Sequence, residues 1–227
     1  MTTEYEFALS RRRVLGASLA AGTVAAARTT PLGAALRVTT PPQTSGPFYP
    51  ATKPLDQDND LTRVAGKDGR AEGKPIHIVG QVLGRGGRPA AGARVEIWQC
   101  NAFGRYHHPR DSRDVPLDPF FQGWGRNLTG DDGAYRFMTI EPPPYPASTF
   151  WMRPAHVHFA VSGRGFEPLV TQMYFAGDPH LERDRIFNGI ADPAARASVV
   201  VTLAPPVAEF SPAAEVAVFD IVLARLA

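Results

Sequence analysis

Residues 145–158 read Tyr-Pro-Ala-Ser-Thr-Phe-Trp-Met-Arg-Pro-Ala-His-Val-His, and Phe-Ala-Val follows at 159–161. The run that begins at His156 alternates its side chains as a half-buried β-strand does. Residues i and i+2 of a strand point to the same face, so His156 and His158 share one face and Val157 and Phe159 the other. Two imidazoles side by side on a rigid strand indicate either a metal site or a partly exposed polar face.

Short apolar runs separated by turn residues occur along most of the chain. The 21 glycines and 22 prolines favour many turns and short strands over long helices. A short helix is predicted at 184–189 or at 193–198. The pattern as a whole predicts an all-β fold, an antiparallel β-sandwich with long active-site loops. The predicted strands are residues 76–83, 92–99, 134–140, 156–162, 169–175, 199–203 and 216–223.

Three regions follow from the composition: 1–35, 36–75 and 76–227. Residues 36–75 contain Thr-Thr-Pro-Pro and Gly-Pro-Phe-Tyr-Pro, which predict an extended arm that wraps the next domain. Residues 76–227 form the predicted sandwich domain. Within it, residues 101–129 have few strand signals but several aromatic side chains, so we expect a functional loop that packs over the sandwich.

The first region has the features of an export signal. Residues 10–15 read Ser-Arg-Arg-Arg-Val-Leu, and an uncharged, alanine-rich segment extends to Ala27. That segment is too short for a membrane span, which needs roughly 20 apolar residues. The pattern predicts a twin-arginine signal peptide and export to the periplasm or the exterior, with cleavage near Ala27 or at Ala34 or Ala35. The alternative is a disordered, alanine-rich tail.

Composition narrows the class of protein. The formal net charge of +2 gives no indication of a nucleic-acid-binding surface, and 44% hydrophobic residues are enough to fill a core. A single cysteine, Cys100, excludes an internal disulfide, and its apolar neighbours predict a buried small side chain.

Four side chains are candidate metal ligands: Tyr106, Tyr145, His156 and His158. Phenolate is a hard anionic oxygen donor and imidazole is borderline, so two of each suit a hard trivalent cation, and ferric iron fits best. The absence of cysteine among them weakens a zinc or iron–sulfur interpretation. Arg153 could stabilise an anion in a buried site through its fixed charge. Taken singly, each tyrosine is more simply an aromatic side chain that packs on the core.

Five segments together resemble the intradiol ring-cleavage dioxygenases of the protocatechuate 3,4-dioxygenase type, over residues 44–225. The most specific is Trp-Met-Arg-Pro-Ala-His-Val-His-Phe at 151–159; strand and turn matches alone would not be specific. The others are Gly-Gln-Val at 80–82 with Trp-Gln-Cys-Asn at 98–101, Gly-Arg-Tyr-His-His at 104–108, Tyr-Arg-Phe at 135–137 with Pro-Tyr-Pro at 144–146, and Thr-Gln-Met-Tyr-Phe at 171–175 with Gly-Asp-Pro at 177–179.

The resemblance implies a β-sandwich and a role for each matching residue. Tyr106 matches the retained tyrosinate ligand of ferric iron, Fe³⁺, and Tyr145 the axial tyrosinate that leaves when substrate binds. His156 and His158 match the two histidine ligands. The active-site arginine and glutamine correspond to Arg153 and Gln172. The implied reaction inserts both atoms of O₂ between the two hydroxylated carbons of a catechol and gives a muconate-type diacid.

Partners and alternatives remain open from the sequence. The implied partners are a catechol-type substrate and O₂, without nucleic acid or a stable membrane span. The protocatechuate enzymes pair two unlike chains, so a homo-oligomer or a paired subunit is possible. The spacing from Tyr145 to Arg153 is shorter than usual in those enzymes, which leaves the ring substituent open. The competing hypothesis is an exported transthyretin-like binding module; a zinc hydrolase lacks a convincing carboxylate base beside the histidines.

Overall fold

The computed structural model describes residues 36–54, 56–208, 210 and 214–226. Twelve strands, one 3₁₀ turn (Leu181–Arg183) and two single-turn helices, α1 (Arg185–Asn188) and α2 (Pro193–Ala197), lie in these ranges. The strands are β1 (Pro75–Gly84), β2 (Arg94–Trp98), β3 (Trp124–Leu128), β4 (Ala134–Ile140), β5 (Tyr145–Ser148), β6 (Trp151–Arg153), β7 (His156–Ser162), β8 (Leu169–Phe175), β9 (Val200–Val201), β10 (Leu203–Ala204), β11 (Glu215–Val218) and β12 (Ile221–Leu223).

The first five-stranded sheet is built around β1. β4 pairs with β1 in antiparallel fashion, whereas β11 and β12 pair with it in parallel. The register runs from Ile76 opposite Glu215 to Gly84 opposite Leu223, so β11 and β12 continue along one line and are interrupted at residues 219–220.

The predicted β-rich fold is confirmed, but purely antiparallel pairing is wrong. Besides the two parallel contacts of β1, β8 pairs in parallel with β9. Alternation along a strand reports which face is buried, and it carries no information about the direction of the neighbouring strand. The sheets are therefore mixed.

The second five-stranded sheet has the order β3-β2-β7-β8-β9, with β7 in its centre. Val157, Phe159 and Val161 of β7 belong to a buried cluster that also takes side chains from the first sheet. The Phe159 ring lies 5.0 Å from that of Phe219 and 6.2 Å from that of Tyr135. This packing fixes the apolar face of β7 and leaves the histidine face for other contacts.

The stretch that precedes β1 lies against both sheets. Thr40 donates its backbone N–H to Val222 of β12, and Gln43 donates its own to Val170 of β8. Tyr49 and Lys53 donate to the Glu96 carboxylate at 2.7 and 2.8 Å. Glu96 is consequently buried, although glutamate is almost never fully buried unless it is paired.

Two parts of the strand pattern were missed in the sequence. β3 lies inside residues 101–129, which were predicted as loop, and it shows no apolar alternation. Gly125 leaves space there for Leu61, since an added Cβ would lie 2.6 Å from Cδ1 of Leu61. β5 and β6 form a separate two-stranded hairpin with a register shift between Pro146 and Ser148. Both windows predicted to hold a short helix contain one.

The predicted export signal falls within residues 1–35, outside the described residues. Among the residues that are described, no helix is both long and apolar enough to cross a membrane.

Candidate metal centre

The structure brings Tyr106, Tyr145, His156 and His158 together. The ring centroids of the two histidines are 5.0 Å apart, those of the two tyrosines 5.7 Å, and those of Tyr145 and His156 5.5 Å. The Tyr106 hydroxyl lies 3.4 Å from Nε2 of His156. The histidines extend from β7, Tyr145 begins β5, and Tyr106 follows β2, so three separate segments converge on one point.

Burial keeps all four side chains neutral. It lowers the pKa of His158 to about 3 and that of His156 well below its ordinary value, and the nearby charge of Arg153 acts in the same direction. Burial also raises the pKa of Tyr106 well above its usual value and raises that of Tyr145. Neutral imidazoles offer lone pairs to a metal, whereas the phenols must lose protons to bind one.

The hydrogen bonds of the histidines fit a metal ligand set. Nδ1 of His156 lies 2.7 Å from the carbonyl oxygen of Pro154, which leaves the Nε2 lone pair directed at Tyr106 when Nδ1 is the protonated nitrogen. Nδ1 of His158 is buried without a hydrogen-bond partner among the described residues. The position of the imidazole indicates a ligand role, because its ring lies 5.0 Å from that of His156 and 6.2 Å from that of Tyr106.

His158 is enclosed on two sides. The Trp98 indole is stacked on it at 4.8 Å. On another side the backbone of Gly46, at φ +64°, comes so close that an added Cβ would lie 3.4 Å from Cε1 of the imidazole. Phe48, two residues further along the same segment, stacks on Tyr106 at 4.7 Å. The segment before β1 therefore contacts two of the four candidate ligands.

Asp111 and Arg113, which follow the turn at Tyr106, support the two tyrosines. Asp111 accepts the backbone N–H of Tyr106 at 2.7 Å and forms an ion pair with Arg113. The Arg113 guanidinium lies 4.3 Å from the centroid of the Tyr145 ring. At Gly104, where φ is +79°, a Cβ would lie 3.2 Å from that of Tyr145, so glycine allows the loop to approach.

The Arg153 side chain is buried, and two nitrogens of its guanidinium donate hydrogen bonds. Nε donates to Asp184 at 2.8 Å, and one terminal nitrogen donates to Oε1 of Gln172 at 2.6 Å. Gln172 lies opposite His158 in the pairing of β7 with β8, and it donates to the carbonyl of Thr44 at 2.9 Å. The predicted arginine and glutamine thus contact each other beside the histidines.

The donor set depends on the tyrosines. No group of three or more His, Cys, Asp or Glu side chains suited to a metal occurs in the described part of the chain. Cys100 is buried, as predicted, and burial raises the pKa of its thiol to about 12, so it stays protonated. A metal here would be bound by phenolate oxygen and imidazole nitrogen, a donor set without sulfur that is compatible with iron.

Several residues around the centre were not identified from sequence. Asp184 is the first residue of a predicted helix window and suggests only a cap. Trp98 and Gly46 carry no metal-binding chemistry of their own. Arg113 follows Asp111 in a polar loop, where a surface ion pair is the ordinary interpretation. Their contacts exist only once distant segments have folded together.

Comparisons with known proteins agree with this geometry. A family model described as dioxygenase (Dioxygenase_C) matches residues 44–225. The chain is 47% identical over 152 residues to the protocatechuate 3,4-dioxygenase beta chain of Burkholderia cepacia, which covers 65% of this chain and 64% of that one. It is 36% identical over 131 residues to the 6-chlorohydroxyquinol 1,2-dioxygenase of Cupriavidus pinatubonensis, which covers 52% of this chain and 46% of that one.

A solved structure matches as well. The dioxygenase domain of a dioxygenase carbohydrate-binding protein fusion from Streptomyces sp. SirexAA-E superposes with a TM-score of 0.61 at 26% identity, and the match covers 83% of this chain and all of that domain. The chain thus spans less than two thirds of each of the two curated relatives but the full length of this domain. Because the family model covers more than half of its residues, the chain belongs to the intradiol ring-cleavage dioxygenase family.

Proposed function

We propose that the protein is a non-haem iron(III) dioxygenase that cleaves a catechol-type ring between its two hydroxylated carbons. Both atoms of O₂ enter the product, a muconate-type diacid, so the reaction balances without an external reductant. The observation that carries the proposal is the convergence of two phenols and two neutral imidazoles in one buried cluster of a chain from this family.

Tyr106, Tyr145, His156 and His158 are the residues that would hold the iron. When bound, ferric iron supplies a Lewis acid that favours the deprotonated catechol and activates it toward dioxygen. The chemistry of the donors supports this choice of metal, since phenolate oxygens suit a hard, highly charged ion and the cluster contains no thiolate.

Tyr145 is the group best suited to take a proton from the substrate. Burial raises the pKa of its phenol, so Oη favours the protonated form when it is not bound to metal. A catechol that displaced Tyr145 could therefore pass a proton to that oxygen. Tyr106 is held in place by the Phe48 ring that stacks on it and by Asp111, which accepts its backbone N–H.

Arg153 provides fixed positive charge where substrate charge would develop. The charge of Arg153 acts on the four candidate ligands. It opposes the rise in the pKa of Tyr145 that burial causes, and it adds to the fall in the pKa of His158. A catecholate in this water-poor site would gain more from such a charge than it would in solution. Gln172 orients one terminal nitrogen of the guanidinium.

Three further proposals concern the architecture, the assembly and the location of the protein. Two five-stranded sheets with a shared buried cluster favour a sandwich for this domain. The name of the Burkholderia relative, a beta chain, favours a paired or oligomeric assembly. The arginine pair and short apolar run before residue 28 favour export by the twin-arginine route.

Metal analysis and product identification test the main proposal. The purified chain should contain one iron per protein and be coloured by tyrosinate-to-iron charge transfer. It should convert at least one of catechol, protocatechuate and hydroxyquinol to the ring-opened diacid. Colourless protein that holds stoichiometric zinc, or that binds catechols without opening the ring, would contradict it and favour a binding module.

A further inference from the structure

Asp184 is a fully buried carboxylate that uses its two oxygens for different tasks. Oδ1 accepts the backbone N–H groups of Ile186 and Phe187 at 3.0 and 2.8 Å and so caps α1. Oδ2 accepts Nε of Arg153 at 2.8 Å and Nε1 of Trp151 at 3.2 Å. One side chain therefore joins the start of α1 to the strand that carries Arg153.

The Arg153 guanidinium is therefore fixed at two of its nitrogens. Asp184 holds Nε of Arg153, and Gln172 holds one terminal nitrogen at 2.6 Å. The Trp151 ring lies 5.4 Å from the same guanidinium, which restricts its remaining freedom. Since Gln172 is the β8 partner of His158, the direction of Arg153 is set relative to the candidate metal centre.

A buried ion pair in this position is not explained by stability. Removing two charges from water costs about as much as their attraction returns, and apolar side chains of similar volume often stabilise a fold equally well. A cap for α1 does not require the arginine either, because Asp192 caps α2 through Ala194 and Ala195 at 2.7 and 3.2 Å without one. The pairing is better explained by a need to hold Arg153 in one orientation.

We propose that Asp184 is a positioning residue for ring cleavage, which acts by directing the Arg153 guanidinium at the metal centre. The proposal rests on the function proposed above. It assigns to the carboxylate a role in the reaction that its helix cap alone would not give it.

Asparagine at this position separates the two tasks. Its side chain has a single acceptor oxygen, whereas Asp184 uses both of its oxygens. In Asp184→Asn the single oxygen can cap α1 only if the NH₂ group faces the Nε–H of Arg153. Two hydrogen-bond donors would then face each other, so the contact that holds Arg153 would be lost. The matched control is Asp192→Asn, because that carboxylate makes only a cap, and asparagine caps about as well as aspartate.

A double-mutant cycle tests whether Asp184 acts through Arg153. Turnover per bound iron is measured for wild type, Asp184→Asn, Arg153→Leu, the double variant and Asp192→Asn. We expect a loss of about a hundredfold in Arg153→Leu and of about ten- to a hundredfold in Asp184→Asn. The double variant should be no slower than Arg153→Leu, since neighbours that act as one unit are not additive. Asp192→Asn should match wild type. Losses that multiply in the double variant, or wild-type turnover in Asp184→Asn, would overturn the proposal.

Arg153→Lys keeps the test decisive if Asp184→Asn folds poorly. Lysine retains the charge, but its single ammonium cannot reproduce the planar fork that reaches Asp184 and Gln172 together. We expect Arg153→Lys to lose turnover about as strongly as Asp184→Asn does, and near-wild-type turnover would show that charge alone suffices.

The same set of variants is used to measure the dissociation constant for catechol in the absence of oxygen. Binding is followed by the change in the visible spectrum. We expect catechol to bind more weakly in Asp184→Asn and in Arg153→Leu, and no more weakly in the double variant than in Arg153→Leu. A wild-type chain that binds catechol but does not cleave it would refute the proposed function. The binding cycle would still test the link between Asp184 and Arg153, and additive weakening there would overturn the positioning role.

Discussion

The imidazole of His158 lies almost parallel to the indole of Trp98, with ring centroids 4.8 Å apart and an interplanar angle of 8°. The two residues are directly opposite in the pairing of β2 with β7, so the sheet itself sets the stack. The indole thereby restricts the tilt of a histidine whose direction decides whether it can bind a metal.

Trp98→Leu should weaken iron binding beyond its effect on stability. Replacing a buried tryptophan by alanine lowers the free energy of unfolding by about 3–5 kcal/mol, and replacing it by the larger leucine lowers it somewhat less. Loss of a group that orients a ligand reduces metal affinity by about ten- to a hundredfold. Iron affinity and thermal unfolding are measured together. Trp124→Leu is the control, since Trp124 is buried opposite Trp98 on β3 and is not stacked on the imidazole. Equal iron affinity in both variants would argue against an orienting role.

Tyr106→Phe should change the visible colour of the iron-loaded protein, because it removes one phenolate donor of the charge-transfer band. Tyr174→Phe should leave the colour unchanged. Tyr174 is buried, with its ring 6.2 Å from that of His156, but its hydroxyl donates to the amide oxygens of Gln43 at 2.6 Å and Gln172 at 3.3 Å and contacts none of the four candidate ligands by a hydrogen bond. Absorption spectra normalised to iron content decide the matter. The same spectrum for Tyr106→Phe and wild type would remove Tyr106 from the ligand set.

His77 should make the fold sensitive to mild acid. Burial lowers its pKa to about 4, an effect that Arg136 strengthens and Asp60 opposes. The unfolded chain takes up the proton near pH 6.5, so this contribution to stability is complete above about pH 6.5 and is lost as the pH falls toward 4. The loss can reach about 3 kcal/mol. Denaturant unfolding at pH 7.5 and 4.5 should show a smaller drop for His77→Met than for wild type, while the exposed His107→Gln should behave as wild type.

Export should depend on the arginine pair before the alanine-rich run. Replacing Arg11 and Arg12 by lysine should leave unprocessed precursor in the cytoplasm, because the receptor reads the pair as an address. Immunoblots of cytoplasmic and exported fractions measure the effect, with Arg37→Lys as a control outside the predicted signal. Normal processing of the double variant would point to another route.

The centre could be anticipated from sequence where the chemistry is local. His156 and His158 share a face because a strand repeats every two residues, and that pattern is visible in six letters of sequence. The direction of neighbouring strands and the contacts between distant segments could not be predicted from such local patterns. The parallel pairing of β1 with β12 and the burial of Glu96 under Tyr49 and Lys53 depend on segments far away in the chain. Asp184 reaches Arg153 across 31 residues, and no local pattern distinguishes it from an ordinary cap.

The contact between Gly46 and His158 has a consequence for the order in which the metal centre is assembled. Thr40 and Val222 exchange two hydrogen bonds, at 3.0 and 2.9 Å, so the segment that leads to Gly46 is anchored by β12, 182 residues further along the chain. Gln172 of β8 anchors the same segment nearer to Gly46, because it donates to the carbonyl of Thr44. We expect iron to be captured by chains in which β8 and β12 have already folded against this segment, and not by shorter nascent chains.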